Sequence, residues 1–318
     1  MIGHIIENAF DNYKKRGNIY RVPCIYHEET EPSLDINLDT ESPFFGICKC
    51  WGCKKTVTIR QFFLDMGWGV EILPKELRLK KFFTPKNTLK THSILKPNEN
   101  HSKFKMFFAD ENPSYLEKTF LKYLYKRGFN SKIIKQNLLG FVGATSDQFD
   151  NSIIIPYYNY NYDFVYYIGR KVNSTIRYVN LPNKDGFYGR KDVIFNMLGF
   201  LNADHIIICE GAFNAMSWNM LQIPNMQAIA TSGTEFSKEQ FNILIQNPKK
   251  ELILAFDKDA EGIQANLITK LIGVSPLSEI RFKDNLDAND ILQTKDGLKK
   301  LKQLLSNRIQ AKRYRLGS

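Results

Sequence analysis

Three short apolar segments, each ending at a polar or acidic loop, occupy the region between Ile206 and Asp259. They read IIIC before Glu210, AIAT before Ser232 and LILAF before Asp257. Short apolar runs that alternate with helical patterns are typical of the buried strands of a parallel α/β sheet. Because ligands bind outside the carboxyl ends of such strands, the pattern predicts that Glu210, Asp257 and Asp259 share one edge.

The carboxylates of this stretch predict a metal site. Acidic side chains at one edge repel one another unless a cation is bound, and packing gives no reason to collect them. Mg²⁺ is a hard cation that takes carboxylate oxygens and leaves positions open for phosphate. Two such ions about 4 Å apart activate an attacking oxygen and stabilise a leaving group. Glu210 is a ligand or a general base on this hypothesis, and both roles stay open.

A second cluster of metal-binding residue types lies near the N-terminus. Cys24 and His27 form a C-x2-H pair, and Cys50 and Cys53 form a C-x2-C pair. Two such pairs make a closed, tetrahedral site for one structural zinc ion. Cys48 is an alternative ligand, but the two-residue spacing and the glycine within it favour Cys50.

The residues around these pairs resemble the zinc-binding domain of bacterial and phage DnaG-type primases. CIYH at 24–27 is followed by EPSL at 31–34 and by CWGC at 50–53, and Ile25 departs from the proline usual in that family. The apolar alternation between the pairs predicts a small antiparallel sheet. By the resemblance, a helix then follows over Thr58–Met66.

The later acidic stretch resembles the TOPRIM domain that DnaG-type primases share with topoisomerases and some nucleases. It has Glu-Gly after the first apolar segment and Asp-x-Asp after the third. The resemblance implies that Glu210, Asp257 and Asp259 are catalytic and hold two or three Mg²⁺ or Mn²⁺ ions. Asp287, with Asp284 close by, would add a further metal position; an Asp-rich helix start is the other interpretation.

One position of this stretch departs from the family. The family pattern is E-G-x-x-D, and Asn214 occupies the place of the aspartate. An asparagine still ligates through its carbonyl oxygen but adds no charge. We therefore expect lower metal affinity or a changed number of ions, with the site otherwise retained.

Basic elements between the two metal sites resemble the N-terminal part of the primase catalytic core. These elements read YLYKRG at 123–128, GRK at 169–171 and RYVN at 177–180. The resemblance implies that they line the groove for template and nucleotide, through Arg127, Arg170, Lys171, Arg177, Tyr178, Asn180 and either Arg190 or Lys191. Without it, Arg127 is equally a cation at a helix end. The aromatic residues over 157–167 are better explained by a strand core than by base stacking.

The chain has a formal net charge of +11, concentrated in two blocks. Residues 75–105 and 295–318 each carry an excess of seven positive charges. Basic blocks beside an acidic site predict a polyanionic partner, and a solvated face with a soluble tail is the alternative. No run approaches the roughly 18 apolar residues of a membrane span, and no signal peptide is recognised. We expect a cytoplasmic protein, in the host cytoplasm if it is phage-encoded.

The predicted fold class is α/β, α+β overall, with a zinc-ribbon-like domain before a primase core that contains a TOPRIM sheet. The predicted parts are a zinc-binding domain at 1–74, a basic linker at 75–113, a basic subdomain at 114–197, the TOPRIM subdomain at 198–292, and a C-terminal helix with a basic tail at 293–318. The apolar spacing of residues 2–15 also predicts one helix there.

The resemblance implies a DNA primase, a nucleotidyltransferase that makes short RNA primers for DNA replication. Its partners would be a single-stranded DNA template, NTPs, the RNA product and a replicative helicase, with no membrane. Residues after 292 leave no room for the helicase-binding domain of cellular primases, which favours a compact, phage-like form. The alternatives are a TOPRIM-type nuclease and a non-catalytic, recombination-mediator-like DNA-binding protein. A topoisomerase would need strand-passage domains that this sequence lacks.

Overall fold

The structure of the protein, a computed structural model, describes the chain in several stretches. The described residues are 2–42, 44–74, 77, 104–110, 112–233, 236–246, 249, 251–258, 261–271, 274–282 and 285–311. Most of the predicted linker, Asp259, Asp284 and the basic tail after residue 311 lie outside them. Contacts divide the chain into two compact units, residues 1–84 and residues 85–318. The finer domain boundaries given above stay predictions.

The first unit contains an antiparallel sheet whose strands pair in sequence order within the described residues. Its elements are α1 (Ile2–Ala9), β1 (Lys14–Arg16), β2 (Ile19–Val22), β3 (Leu34–Asn37), β4 (Ile47–Cys50), β5 (Thr56–Thr58) and α2 (Ile59–Asp65). Thr58 caps α2 by accepting a hydrogen bond from the Gln61 N–H at 3.2 Å. Ile6, Leu34 and Phe62 are fully buried in the core of this unit.

The first helix is shorter than its apolar spacing predicted. It ends at Ala9, and Lys14–Arg16 pairs with Ile19–Arg21 as a hairpin instead. Gly17 lies in the turn with a φ of +58°, a conformation that glycine adopts without steric cost. The prediction of one helix over 2–15 was therefore wrong beyond residue 9, because a hairpin turn ends the helical periodicity.

The second unit begins with an antiparallel sheet and two helices. The elements are β6 (Lys105–Met106), α3 (Tyr115–Lys126), α4 (Ser131–Gln136), β7 (Gly140–Val142), β8 (Ser152–Tyr158), β9 (Phe164–Lys171) and β10 (Tyr178–Asn180). In the described part of the chain the strand order is β10-β9-β8-β7-β6. Tyr157, Tyr166 and Tyr167 of the central hairpin are at most 2% exposed, so these aromatic side chains belong to the core.

A parallel sheet follows and carries the acidic loops. Its strands are β11 (His205–Cys209), β12 (Met226–Ala230), β13 (Glu251–Leu254) and β14 (Leu277–Glu279), with β15 (Ile309–Gln310) antiparallel to β14. Its helices are α5 (Met197–Asn202), α6 (Ala212–Asn219), α7 (Lys238–Gln246), α8 (Glu261–Leu271), α9 (Ala288–Leu292) and α10 (Gly297–Ser306). The predicted α/β class is confirmed, and β15 is an edge strand that the sequence did not indicate.

Strand β11 is buried on both faces, which explains why its sequence is apolar without alternation. Ile207 and Cys209 pack in a core cluster that also contains side chains of the antiparallel sheet. Ile206 and Ile208 pack in a second cluster with side chains of α5, α7 and α8. Among the described residues, no helix is long and apolar enough to cross a membrane.

Candidate functional site

The four predicted zinc ligands converge in the first unit. Cys24 and His27 lie in the loop after β2, Cys50 ends β4, and Cys53 lies in the turn before β5. One ligand atom from each lies within 4.8 Å of the others. The Sγ atoms of Cys24 and Cys53 are 3.9 Å apart, and Sγ of Cys50 is 3.8 Å from Nδ1 of His27. A tetrahedral ion with Zn–S bonds of about 2.3 Å needs separations of this size, so the cluster is consistent with one zinc ion.

Cys50 rather than Cys48 takes part in this cluster. The Cys53 N–H donates to Sγ of Cys50 at 3.3 Å, and the hydroxyl of Ser33 lies 3.1 Å from the same sulfur. Cys48 is fully buried in the apolar core of the unit. A Cβ at Gly52 would lie 2.7 Å from Nε2 of His27, so the turn needs glycine to bring its two cysteines beside the ring.

Glu29 is a functional candidate that sequence reasoning missed. Its Oε1 accepts the Cys24 N–H at 2.7 Å and the Ser33 N–H at 3.0 Å, and its Oε2 lies 3.2 Å from Nε2 of His27. A zinc-bound histidine usually donates its other ring N–H to a carboxylate or carbonyl, which fixes the tautomer. An acidic residue two positions after the histidine of a knuckle was the signal that could have found it.

The predicted carboxylate edge lies at the carboxyl ends of β11 and β13, which pair in parallel. Glu210 directly follows β11, Asp257 lies beyond the end of β13, and Asp287 caps α9 by accepting the Asp290 N–H at 2.7 Å. Asp259 lies outside the described residues. Within the described part of the chain, only the cysteine and histidine cluster brings three or more such ligand atoms within 4.8 Å of one another. Glu210 and Asp257 thus follow neighbouring strands, but in the described part of the chain the oxygen atoms of this edge do not form a ready ligand cage.

The carboxylates of Asp257 and Asp287 act electrostatically on the buried end of β11. Burial, together with the charges of Asp257 and Asp287, raises the pKa of the Cys209 thiol well above its ordinary value. Burial also raises the pKa of Asp287, against hydrogen bonds from backbone N–H groups and the charge of Arg127. Cys209 is fully buried and is a core residue.

Asn214 of α6 links these elements. It is 5% exposed, its Nδ2 donates to Oδ1 of Asp257 at 3.1 Å, and its Oδ1 accepts the Asn289 N–H at 3.3 Å. Asn289 in turn donates from Nδ2 to the backbone carbonyl of Arg127 at 3.0 Å and to Oγ of Ser217 at 2.9 Å. The residue that departs from the family pattern therefore bonds to the acidic edge through a neutral amide.

Two of the predicted basic residues meet beside this edge. The guanidinium carbon of Arg170 lies 4.7 Å from the ring centre of Tyr178 and 5.6 Å from that of Phe213. The guanidinium of Arg127 lies 5.6 Å from the same Phe213 ring. Nε of Arg127 is buried and lacks a hydrogen-bond partner within the described residues. Phe213, the aromatic centre of this cluster, was not indicated by the sequence.

The other predicted groove residues are distributed more widely. Lys171 forms an ion pair with Asp150, and its side chain is 17% exposed. Arg177 precedes β10, and Asn180 ends that strand. Lys191 lies in a helical turn. Its backbone carbonyl accepts a hydrogen bond from the hydroxyl of Ser237 at 2.6 Å. The Lys171 N–H donates to the backbone carbonyl of Arg177 at 3.0 Å. The side chains of Arg127, Arg170 and Tyr178 meet around Phe213.

Comparison with known proteins first defines the class. A family model for Toprim-like domains matches residues 207–292, the segment from β11 to the end of α9. The match contains Glu210, Asp257 and Asp287 as well as Asp259. The second unit is therefore a Toprim-containing α/β unit, and a divalent metal is consistent with that class.

The chain is more particularly similar to bacterial DNA primases. It is 25% identical to the DNA primase of Staphylococcus epidermidis over 91% of this chain and 55% of that protein. It thus spans about half the length of this relative. The crystal structure of the zinc-binding and RNA polymerase domains of Aquifex aeolicus primase aligns with a TM-score of 0.56 at 16% identity, covering 98% of this chain and 83% of that chain. A DnaG primase catalytic domain bound to ssDNA aligns with a TM-score of 0.53 at 15% identity, over 62% of this chain and 74% of that chain. The fold is that of DnaG zinc-binding and RNA polymerase domains.

Proposed function

We propose that this protein is a DNA primase that copies single-stranded DNA into short RNA primers from NTPs for DNA replication. The observation that carries the proposal is the meeting of Arg127, Arg170 and Tyr178 around Phe213 of α6, the helix that follows Glu210, in a Toprim-containing unit. A nuclease or a non-catalytic clamp would not need two guanidinium groups beside the acidic edge to hold a triphosphate. Homology to bacterial primases supports the same reading.

The donor set at the acidic edge suits a hard divalent cation. Glu210, Asp257, Asp259 and Asp287 would hold two or three Mg²⁺ or Mn²⁺ ions, because carboxylate oxygens suit these metals. When bound, such ions would stabilise charge on the transferred phosphate. The proposed catalytic residues are Glu210, Asp257 and Asp259.

The proposed reaction joins a 3′ oxygen to the α-phosphorus of an incoming NTP and breaks the bond from that phosphorus to the bridging oxygen of the β-phosphate. Pyrophosphate leaves, and the proton of the 3′-hydroxyl passes to water or to a carboxylate such as Glu210. The guanidinium of Arg127 lies over the Phe213 ring and would bind a phosphate oxygen through its terminal N–H groups. Arg170 is held by Tyr123, whose hydroxyl accepts from its Nε at 3.0 Å, and would present its remaining N–H groups to phosphate.

The zinc unit would hold one structural ion and help select the template site at which synthesis starts. The spacing of its ligand atoms supports tetrahedral zinc. Single-stranded DNA, NTPs and a replicative helicase are the proposed partners, and one structural relative is described as bound to ssDNA. Lys171, Arg177, Asn180 and Lys191 are proposed as further contacts to the template or nucleotide.

Primer synthesis on defined templates tests the proposal. The protein is incubated with a pool of single-stranded DNAs that covers all template trinucleotides, labelled NTPs, and Mg²⁺ or Mn²⁺, with and without a replicative helicase. The expected products are short oligoribonucleotides with template-dependent starts. Metal-dependent DNA cleavage without NTPs would instead support a nuclease. DNA binding with no synthesis on any template would support a non-catalytic protein.

A further inference from the structure

The side chain of Asn214 lies at the junction of three segments of the second unit. Its own helix, α6, follows Glu210; Asp257 follows β13; and Asn289 belongs to α9, which Asp287 caps. The amide is 5% exposed and uses both ends, donating to Asp257 and accepting from a backbone N–H. Such a buried, two-ended contact defines the position of both neighbours.

The contacts continue from Asn289 to the basic cluster. Asn289 is fully buried, and its side chain donates to the backbone carbonyl of Arg127. A chain of amides therefore runs from a carboxylate of the acidic edge to the helix end that carries an arginine of the basic cluster. The link joins residues that are 162 positions apart in the sequence.

The amide differs from a carboxylate in two respects that matter at this position. An aspartate at position 214 would accept the Asn289 N–H as well, but it would offer no donor to Oδ1 of Asp257. It would also add a negative charge at a contact that now measures 3.1 Å. Like charges at this distance oppose each other strongly in a partly buried site, and a bound cation relieves them.

We propose that Asn214 is a positioning residue, whose neutral amide holds Asp257 and the segment of Asp287 in place without relying on a cation to do so. The inference rests on the proposed metal-dependent function of this edge. The inference explains why asparagine stands at position 214 in place of the aspartate of the family pattern. With asparagine, the acidic edge keeps a fixed geometry in the metal-free protein but attracts divalent cations less strongly.

Metal affinity and metal-free stability test this role independently of catalysis. Mn²⁺ binding is measured on the full chain by electron paramagnetic resonance, with Asp257→Asn defining which signal belongs to the edge. Asn214→Asp is expected to bind Mn²⁺ about tenfold more tightly and to melt at a lower temperature without the metal. Asn214→Ala removes the donor without adding charge and is expected to bind Mn²⁺ severalfold more weakly. Asn214→Ser, which retains a small polar group too short to reach both partners, replaces the alanine variant if that protein does not fold.

An order of Mn²⁺ affinity of Asp, then Asn, then Ala at position 214 supports the inference. Affinities within twofold of one another, with only the melting temperature changed, would reduce Asn214 to a packing residue and overturn it, as would weaker binding in Asn214→Asp. Primer synthesis is assayed separately. If the three proteins show the expected affinity order but the wild type makes no primer, the proposed function alone is refuted. If the wild type makes primer but the three affinities are equal, the role of Asn214 alone is refuted.

Discussion

Oε2 of Glu29 lies 3.2 Å from Nε2 of His27, while Nδ1 of the same ring faces Sγ of Cys50 at 3.8 Å. The ring is thus held between a carboxylate and the sulfur cluster, with one nitrogen for each. This arrangement favours the tautomer that carries its proton on Nε2 and leaves Nδ1 free to bind a metal.

Glu29→Gln is expected to lower zinc affinity by about tenfold to a hundredfold, because the neutral amide is a weaker partner for the histidine N–H. Competition with a chromogenic chelator measures the affinity. Glu31→Gln is the matched control, since the side chain of Glu31 is 79% exposed and pairs with Lys14. Equal affinities for Glu29→Gln and the control would show that Glu29 has no part in holding the ligand.

Zinc removal is expected to unfold the first unit and to leave the second unit folded. The zinc ligands connect the loop after β2 to the end of β4. Removal of the ion therefore frees the central strands of a small sheet. Hydrogen exchange after chelation should show lost protection in β3, β4 and β5 and unchanged protection in β11 and β13. Retained protection in the first unit would mean that its apolar core suffices without metal.

Arg170→Ala is expected to weaken the binding of single-stranded DNA or NTP about tenfold or more. A contact between Arg170 and a DNA phosphate would also lower the salt dependence of DNA binding by about one ion in the variant. Arg170 is buried and held against Tyr178 and Tyr123, whereas Lys171 next to it already pairs with Asp150. Lys171→Ala is therefore the matched control, with a smaller expected effect. Fluorescence anisotropy over a salt series measures both variants. Equal losses would show that Arg170 contributes no more to binding than Lys171 and would contradict this prediction.

Glu251 at the amino end of β13 predicts a pH dependence of stability. Its burial works against ionisation, but hydrogen bonds from Arg308, Ser278 and His205 outweigh this and lower its pKa from 4.5 to about 2. A lowered carboxyl pKa gives stabilisation that is complete above about pH 4.5 and is lost as the pH falls towards 2. The full effect is about 3 kcal/mol in the free energy of unfolding.

Urea unfolding of wild type and Glu251→Gln at a series of pH values measures this contribution, with hydrogen exchange in β13 and β14 reporting on the second unit. The difference in unfolding free energy between the two proteins should shrink between pH 5 and pH 3. Asp185→Asn, at an exposed site of the same unit, should show no such convergence. A difference that stays constant with pH would rule out ionisation of Glu251 as its source.

Much of the fold follows from local sequence patterns. The apolar runs of β11 and β13 indicated buried parallel strands because both of their faces are covered, and the paired Cys and His spacings indicated the zinc cluster. Such signals depend only on neighbours in the chain. The caps formed by Thr58 and by Ser237 with Gln240 are likewise contacts between residues close together in the chain.

The features that the sequence did not indicate depend on long-range contacts. The strand β15 has only two residues, and its pairing with β14 is supported by Arg308, which binds Glu251 through both carboxylate oxygens. Phe213 became part of the basic cluster only because the helix end of Arg127 and the strand of Arg170 meet over α6. No local pattern encodes a meeting of residues so far apart in the chain.

Primer synthesis by Asp257→Asn, compared with wild type and with Asp296→Asn, tests the central claim most directly. Asp296 is exposed and has a φ of +60°, a conformation that asparagine also tolerates, so its variant matches the change in charge and should fold. The account predicts template-dependent oligoribonucleotides from wild type and Asp296→Asn, and at least a hundredfold less product from Asp257→Asn at saturating Mg²⁺ or Mn²⁺. Undiminished synthesis by Asp257→Asn, or no synthesis by wild type on any template with the helicase present, would contradict it.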